Sequence, residues 1–184
     1  VWVSGEVLYR WDRQTNTLKS FETTSKRVDD FGNTGPYAMV KAQEGNLWFA
    51  TSEGLFVYDP KLEKARQFKF DKAKPDGVPQ KNVFTVYEDR EGQLWIVTEN
   101  FLSKMTDKKN GVFKHYRYVS DPEYYLYLRP VLYDDGNKLW LGTKKGLLAF
   151  DKKKEGFHTY LNDPADPASL TNNHIKSICP DPEN

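Results

Sequence analysis

The sequence predicts an all-β protein of the β-propeller class, built from about four blade-sized repeats of four antiparallel strands, and two observations carry that prediction. A Trp-centred phrase recurs at Trp2, Trp48, Trp95 and Trp140, at intervals of 46, 47 and 45 residues. A period of about 40 to 50 residues is that of a four-stranded blade. Each interval also holds short apolar or alternating runs separated by turn-forming residues, and none shows helical periodicity.

The chain reads as one propeller segment over 1–184. A partial repeat at 1–35 is followed by repeats at 36–81, 82–126 and 127–172, and 173–184 begins another. The third repeat shows the logic. VFTVYED (83–89) alternates as a strand does, REGQ (90–93) turns, and LWIVT (94–98) is a continuous apolar run. FLSKM (101–105) and VFKHYRY (112–118) complete four strands, with TDKKNG between them as a polar connection. Glu44-Gly45-Asn46 and Asp134-Asp135-Gly136-Asn137 supply the corresponding turns elsewhere, since Gly and Asn accept positive φ.

Each repeat tryptophan falls on the second strand of its unit and follows an apolar residue, Val1, Leu47, Leu94 or Leu139. Packing between blades is the role this implies. Burying an indole removes roughly 150–250 Å² from water, worth up to about 4–6 kcal/mol as an upper bound at about 25 cal/mol per Å². Gly54 and Gly146 precede the third strand of their units, with Gly5 in the equivalent turn, as expected where a Cβ is disfavoured. The third unit has Asn100-Phe101 there, and Asn100 is expected to take the left-handed conformation in place of glycine.

Composition narrows the function classes. Lys+Arg total 27 against 26 Asp+Glu, so the net charge of +1 over 184 residues implies no nucleic-acid contact by this segment. The run Lys152-Lys153-Lys154 falls between strands and reads as a solvated turn. A lone cysteine, Cys179, excludes an intramolecular disulfide framework. No apolar run approaches membrane-spanning length and no signal-peptide pattern is present, so the sequence reads as a segment of a longer chain. It begins inside a hairpin and ends where the repeat calls for another Gly-x-Leu-Trp. The segment from about His174 to Cys179 is expected to be a lone inner strand, which either closes a four-bladed ring beside Trp2 or starts a fifth blade.

The phrase LWLGTKKGLLAFDKKKEGFHTYLNDPADPASLTNNHIKSI (139–178) resembles the two-component regulator propeller repeat, whose pattern runs LWIGT, GL, an aromatic-Asp strand end, F..Y and SL..N.V..I. The resemblance covers the chain in four copies. The fourth is nearly complete and the second good, while the first and third are degenerate beyond the Trp strand. It implies a seven-bladed propeller, of which this segment is a part, in the periplasmic sensor region of a hybrid two-component histidine kinase of Bacteroidetes that responds to glycan fragments. It further implies a Y-rich immunoglobulin-like domain, a membrane helix, a kinase, a receiver and a DNA-binding domain elsewhere in the parent chain. An oligosaccharide ligand, further blades, the immunoglobulin-like domain and a homodimer mate are the partners expected.

Ligand chemistry is expected in the long connections at 25–36, 71–82, 120–127 and 162–173, which are rich in Gly, Pro, Asn and Asp. The third, DPEYYLYLR, departs from the family pattern and offers Tyr124, Tyr125, Tyr127 and Arg129, aromatic faces and a planar cation suited to sugars. Arg27, Asn33, Asn82, Asn173 and His174 flank the starts of inner strands and complete the candidate set. Asn82 and Asn173 read as one recurring repeat position, which favours loop capping over ligand contact.

No catalytic group emerges. His115, His158 and His174 lack metal-ligand spacing, and His115 and His158 occupy comparable outer strands, so no metal or other cofactor is expected. The pairs Asp29-Asp30 and Asp134-Asp135 sit in turns, where neighbouring carboxylates diverge. The alternative is a lyase-type propeller, similar to streptogramin lyases, for which His174 is the only near fit, or a propeller used for protein docking.

Overall fold

The structure, a computed structural model, describes residues 1–4, 8–21, 36–118, 131–179 and 181. Among these are fifteen strands and no helix. β1 (Trp2–Ser4), β2 (Leu8–Asp12) and β3 (Thr17–Phe21) form a three-stranded sheet. β4 (Ala38–Lys41), β5 (Leu47–Thr51), β6 (Gly54–Asp59) and β7 (Lys64–Phe68) form a four-stranded sheet. β8 (Thr85–Glu88), β9 (Leu94–Val97), β10 (Phe101–Asp107) and β11 (Val112–Arg117) form the next. β12 (Val131–Asp134), β13 (Lys138–Thr143), β14 (Gly146–Asp151) and β15 (Gly156–Tyr160) form the last. Strands pair in chain order, so each sheet is a meander of the blade type.

Local chemistry explains the turns. Asp12, Asp59, Asp107 and Asp151 each end or close a strand and accept, through Oδ1, the backbone N–H groups two and three residues on. The fourth residue after each, Asn16, Glu63, Gly111 or Glu155, has positive φ. An aspartate that folds its own turn in this way sets the outer hairpin of every sheet. The inner hairpins use Gly45, Gly92 and Gly136, all with positive φ.

The chain divides into two compact units, Val1–His115 and Tyr116–Asn184. In the first, β5 is buried along its whole length, as is β9, which explains why both read as unbroken apolar runs. Trp48, Ala50 and Leu55 of the second sheet share one cluster with Val83, Val86, Leu94, Ile96, Met105 and Phe113 of the third sheet and its approach. Leu47, Phe49, Phe56 and Tyr58 form another, against which Trp2 packs. In the second unit Leu139, Leu141 and Phe150 are fully buried. Tyr116 and Phe157 both pack on Phe150, with centroids 4.6 and 4.9 Å away.

Trp48 and Trp95 are buried, 1% and 2% exposed, and Trp48 belongs to the cluster shared with the third sheet. Trp2 and Trp140 are half-buried. Each of three indoles is also tied to a carboxylate of the preceding turn, a feature the sequence reading missed. Trp48 Nε1 donates to Glu44 at 3.3 Å, Trp95 Nε1 to Asp89 at 2.8 Å and Trp140 Nε1 to Asp135 at 2.7 Å. A buried indole N–H needs such an acceptor.

Three sequence expectations are corrected. The segment 174–179 is not a strand. Ile175 N bonds Thr143 O at 2.8 Å and the Ile175 and Ile178 side chains lie against Gly142, but no ladder forms on the segment among the described residues. Asn100 does not take positive φ. The position equivalent to Gly54 and Gly146 is Phe101, because Thr98 Oγ1 bonds Phe101 O as Thr51 bonds Gly54 O and Thr143 bonds Gly146 O. Glycine is required at the other two turns because a Cβ on Gly54 would sit 2.3 Å from Phe68 O, and one on Gly146 2.6 Å from Tyr160 O. Finally, Asn82 and Asn173 are one register apart, as the connections below establish.

Candidate functional site

Two ends of the sheets present groups to solvent. In each four-stranded sheet, one carries the β5–β6, β9–β10 or β13–β14 turn, with the described connections 71–82 and 162–173. The other carries the inner and outer hairpin turns.

At the connection-bearing end, 71–82 and 162–173 fold alike. Ala73 N donates to Asp71 Oδ1 at 2.8 Å and Ala165 N to Asp163 Oδ1 at 2.9 Å. Lys74 N bonds Asp71 O as Asp166 N bonds Asp163 O, and Gly77 N bonds Lys74 O as Ser169 N bonds Asp166 O. Val83 N and Ile175 N then bond Thr51 O and Thr143 O. This register makes Lys81 the counterpart of Asn173 and Asn82 that of His174, which overturns the single recurring Asn position. The two Asn side chains act differently. Asn173 Oδ1 accepts Asn162 N at 2.6 Å and cinches its own loop. Asn82 Nδ2 donates to Glu99 Oε1 at 3.0 Å, across to the β9–β10 turn. His174 is exposed, with its backbone N–H held by Asn172 Oδ1. Tyr124, Tyr125, Tyr127, Arg129, Arg27 and Asn33 lie outside the described residues.

The structure adds a group here that sequence reasoning passed over. Gln80 Oε1 accepts Thr98 Oγ1 at 2.9 Å and Asn100 N at 2.8 Å, while its Nε2 donates to Glu99 Oε2 at 3.2 Å. In the glycine-bearing turns the Thr hydroxyl accepts that backbone N–H itself, from Glu53 and Lys145. Gln80 thus replaces the hydroxyl as organiser of the third turn. The result is a half-buried cluster of two amides and a carboxylate, the planar groups that hydrogen-bond hydroxyls. Lys81 pairs with Glu53 at 2.7 Å beside it. The signal that could have found Gln80 was the loss of glycine at Phe101, in the turn it organises.

The histidines are not brought together. His115 bonds Ser103 Oγ at 2.9 Å and Pro75 O at 3.1 Å, pinning the 71–82 connection to β11, and burial lowers its pKa. His158 lies edge-on to Tyr160 in β15. No group of three or more His, Cys, Asp or Glu side chains among the described residues could hold a metal ion.

At the hairpin-turn end, two cavities of about 610 and 690 Å³ lie within the first unit. They share Glu44, Asn46 and Asp59 as lining. Lys108 reaches Glu44 at 3.0 Å and Glu88 at 3.1 Å. Burial is the largest influence on Lys108 and opposes its charge, yet the bonds to the two glutamates leave its pKa raised. Glu44 is likewise lowered despite desolvation, by its bonds from Lys108 and Trp48. Arg66 stacks on Phe68 at 4.2 Å and donates to the carbonyls of Lys108 and Lys109.

The two-component regulator propeller family profile matches residues 77–100. No curated protein matches the sequence. Solved structures do. The extracellular domain of BT4673 from B. thetaiotaomicron, described as a hybrid two-component system, aligns at a TM-score of 0.71 and 25% identity over 99% of this chain and 23% of its own. That of BT3049 from the same organism, described likewise, gives 0.67 and 17% over 94% and 21%. Virginiamycin B lyase from Staphylococcus aureus gives 0.61 and 11% over 87% and 50%, a likeness of fold. The chain spans about a quarter of the BT4673 domain. Residues 77–100, running from the 71–82 connection through β8 and β9 to the turn that Gln80 organises, thus match the two-component regulator propeller profile, in an all-β chain whose blade fold is similar to that of these extracellular domains.

Proposed function

We propose that this chain is part of the non-catalytic, periplasmic sensor region of a hybrid two-component histidine kinase, detecting glycan fragments to control polysaccharide utilisation. The observation that carries the reading is the alignment of 99% of the chain with an extracellular two-component-system domain at 25% identity, together with the repeat at 77–100. The amide and carboxylate cluster of Gln80, Asn82 and Glu99 adds chemistry suited to sugar hydroxyls at the connection-bearing end. Tyr124, Tyr125, Tyr127 and Arg129 remain the proposed aromatic and cationic part of the ligand site. Further blades, a Y-rich immunoglobulin-like domain and a second copy of the parent chain are the proposed protein partners. Signalling then requires that glycan bind one arrangement of those domains more tightly than another.

Titration calorimetry against defined plant and host oligosaccharides tests this reading. One tight binder is expected, weakened by the pair Tyr124→Ala and Arg129→Ala with little change in thermal stability. A folded protein silent across neutral and acidic oligosaccharides alike sinks the sensor reading.

A further inference from the structure

The charge of this protein is unevenly placed. Over the whole sequence basic and acidic residues nearly cancel, at +1. Around the two adjoining cavities of the first unit, seven basic side chains face only two acidic ones. Both acids are already engaged. Glu44 holds Lys108 and the Trp48 indole, and Asp59 caps its own turn through Lys61 N and Leu62 N. Two of the cations, Lys108 and Arg66, are spent within the fold. Arg10, Lys41, Lys61, Lys64 and Lys109 remain, all exposed along one concave surface. The half-buried ring of Trp2 forms part of the wall, with the Arg10 guanidinium 5.9 Å from its centroid.

We infer that this groove of the first unit, at its hairpin-turn end, binds an acidic polysaccharide chain, one bearing carboxylate or sulfate groups. An excess of cations along a recess raises the local concentration of anions. An aromatic wall beside them gives a sugar ring an apolar face to lie on. Concavity favours a chain over a membrane, which presents a flat surface and meets protruding lysines best. Two cavities with shared lining residues provide room for several consecutive residues of such a chain. The inference rests on the sensor reading for its glycan class, and it places that glycan at the end of the first unit's sheets opposite the 71–82 connection.

The test is calorimetry of the protein with hexagalacturonate, a heparin hexasaccharide and neutral maltohexaose, at low salt and at high salt. At least one acidic hexasaccharide is expected to bind, with affinity falling as salt rises, and maltohexaose to give no signal. The double variant Lys41→Glu with Lys61→Glu should weaken that binding by roughly tenfold, the order expected from two reversed exposed charges. The charge-matched pair Lys153→Glu with Lys154→Glu, far along the sequence in an exposed turn, should leave it unchanged, circular dichroism confirming that both variants fold. Equal weakening by the two pairs overturns the groove in favour of net charge alone. Binding of phosphatidylglycerol vesicles or of a thymidine 20-mer through Lys41 and Lys61, with no acidic hexasaccharide bound, overturns the glycan occupant. Binding of maltohexaose alone overturns this groove and leaves the sensor reading standing, whereas silence with every sugar fails both.

Discussion

Trp48 and Trp140 occupy the same place in two sheets and meet different fates. Trp48 stands between Val40 and Val57 in the strand ladder, Trp140 between Tyr133 and Ala149. Each stacks on the aromatic residue of its outer strand, Trp48 on Phe68 at 5.9 Å and Trp140 on Tyr160 at 5.7 Å. Each donates its N–H to a turn carboxylate. Yet Trp48 is 1% exposed and Trp140 only half-buried. The repeat phrase therefore orients the indole and supplies its first neighbours, while burial comes from the adjoining sheet, whose Val83, Val86, Ile96 and Met105 share a cluster with Trp48.

The sharpest way to break this comparison is to truncate both rings. Trp48→Ala should cost about 3–5 kcal/mol in chemical denaturation and Trp140→Ala roughly half that, because truncation costs follow the packing lost. Equal losses would mean that the stack within the sheet dominates, and the cover by the next sheet adds little.

A second contrast uses the glycines of the second sheet. Gly54 and Gly45 have similar φ, +111° and +98°, but a Cβ at Gly54 would strike Phe68 O whereas one at Gly45 meets nothing within 4 Å. Gly54→Ala should therefore destabilise by about 2–3 kcal/mol and Gly45→Ala by about 1 kcal/mol. If thermal melts show the two alike, backbone strain and not the close approach of the outer strand is what demands glycine.

The smallest effect concerns acid. Backbone N–H donation from Asn110, with that residue's side chain adding a bond at 2.7 Å, holds the Asp107 carboxyl below the usual carboxylate range. Asp151 is lowered in the same way by Lys154 N, without a side-chain donor. A carboxyl whose folded pKa is depressed stabilises the fold above its unfolded pKa, about 3.9, and that contribution is lost as the pH falls through the folded value. Stability should thus drop on acidification below about pH 4, and Asp107→Asn should flatten that drop more than Asp151→Asn. Denaturation midpoints measured from pH 6 to pH 2 decide it, and an unchanged slope in both variants would remove these turns as its source.

Much of the architecture was legible because it is local and repeated. The apolar run around each Trp and the alternation before it each encode a hairpin in a few consecutive residues, and the strands of the third repeat fall on the runs that pattern marks. What misled was register across a connection. Asn82 and Asn173 match by eye, yet the bonds of Val83 N and Ile175 N to Thr51 O and Thr143 O shift them by one. Asn100 looked like a glycine substitute because residue type alone does not show that Gln80, twenty residues earlier, holds its backbone N–H. The lone strand expected at 174–179 failed for a related reason, since extended chain becomes a strand only when a partner supplies its hydrogen bonds.

By itself, the sequence determined the fold class and the period of this protein, because these depend on contacts within one hairpin. Which indole is buried, which loop residue holds which turn, and the gathering of Arg10, Lys41, Lys61, Lys64 and Lys109 around one pair of cavities were decided only by tertiary structure. Those residues come from separate strands and turns of three sheets, and no spacing along the chain records that folding sets like charges beside one another.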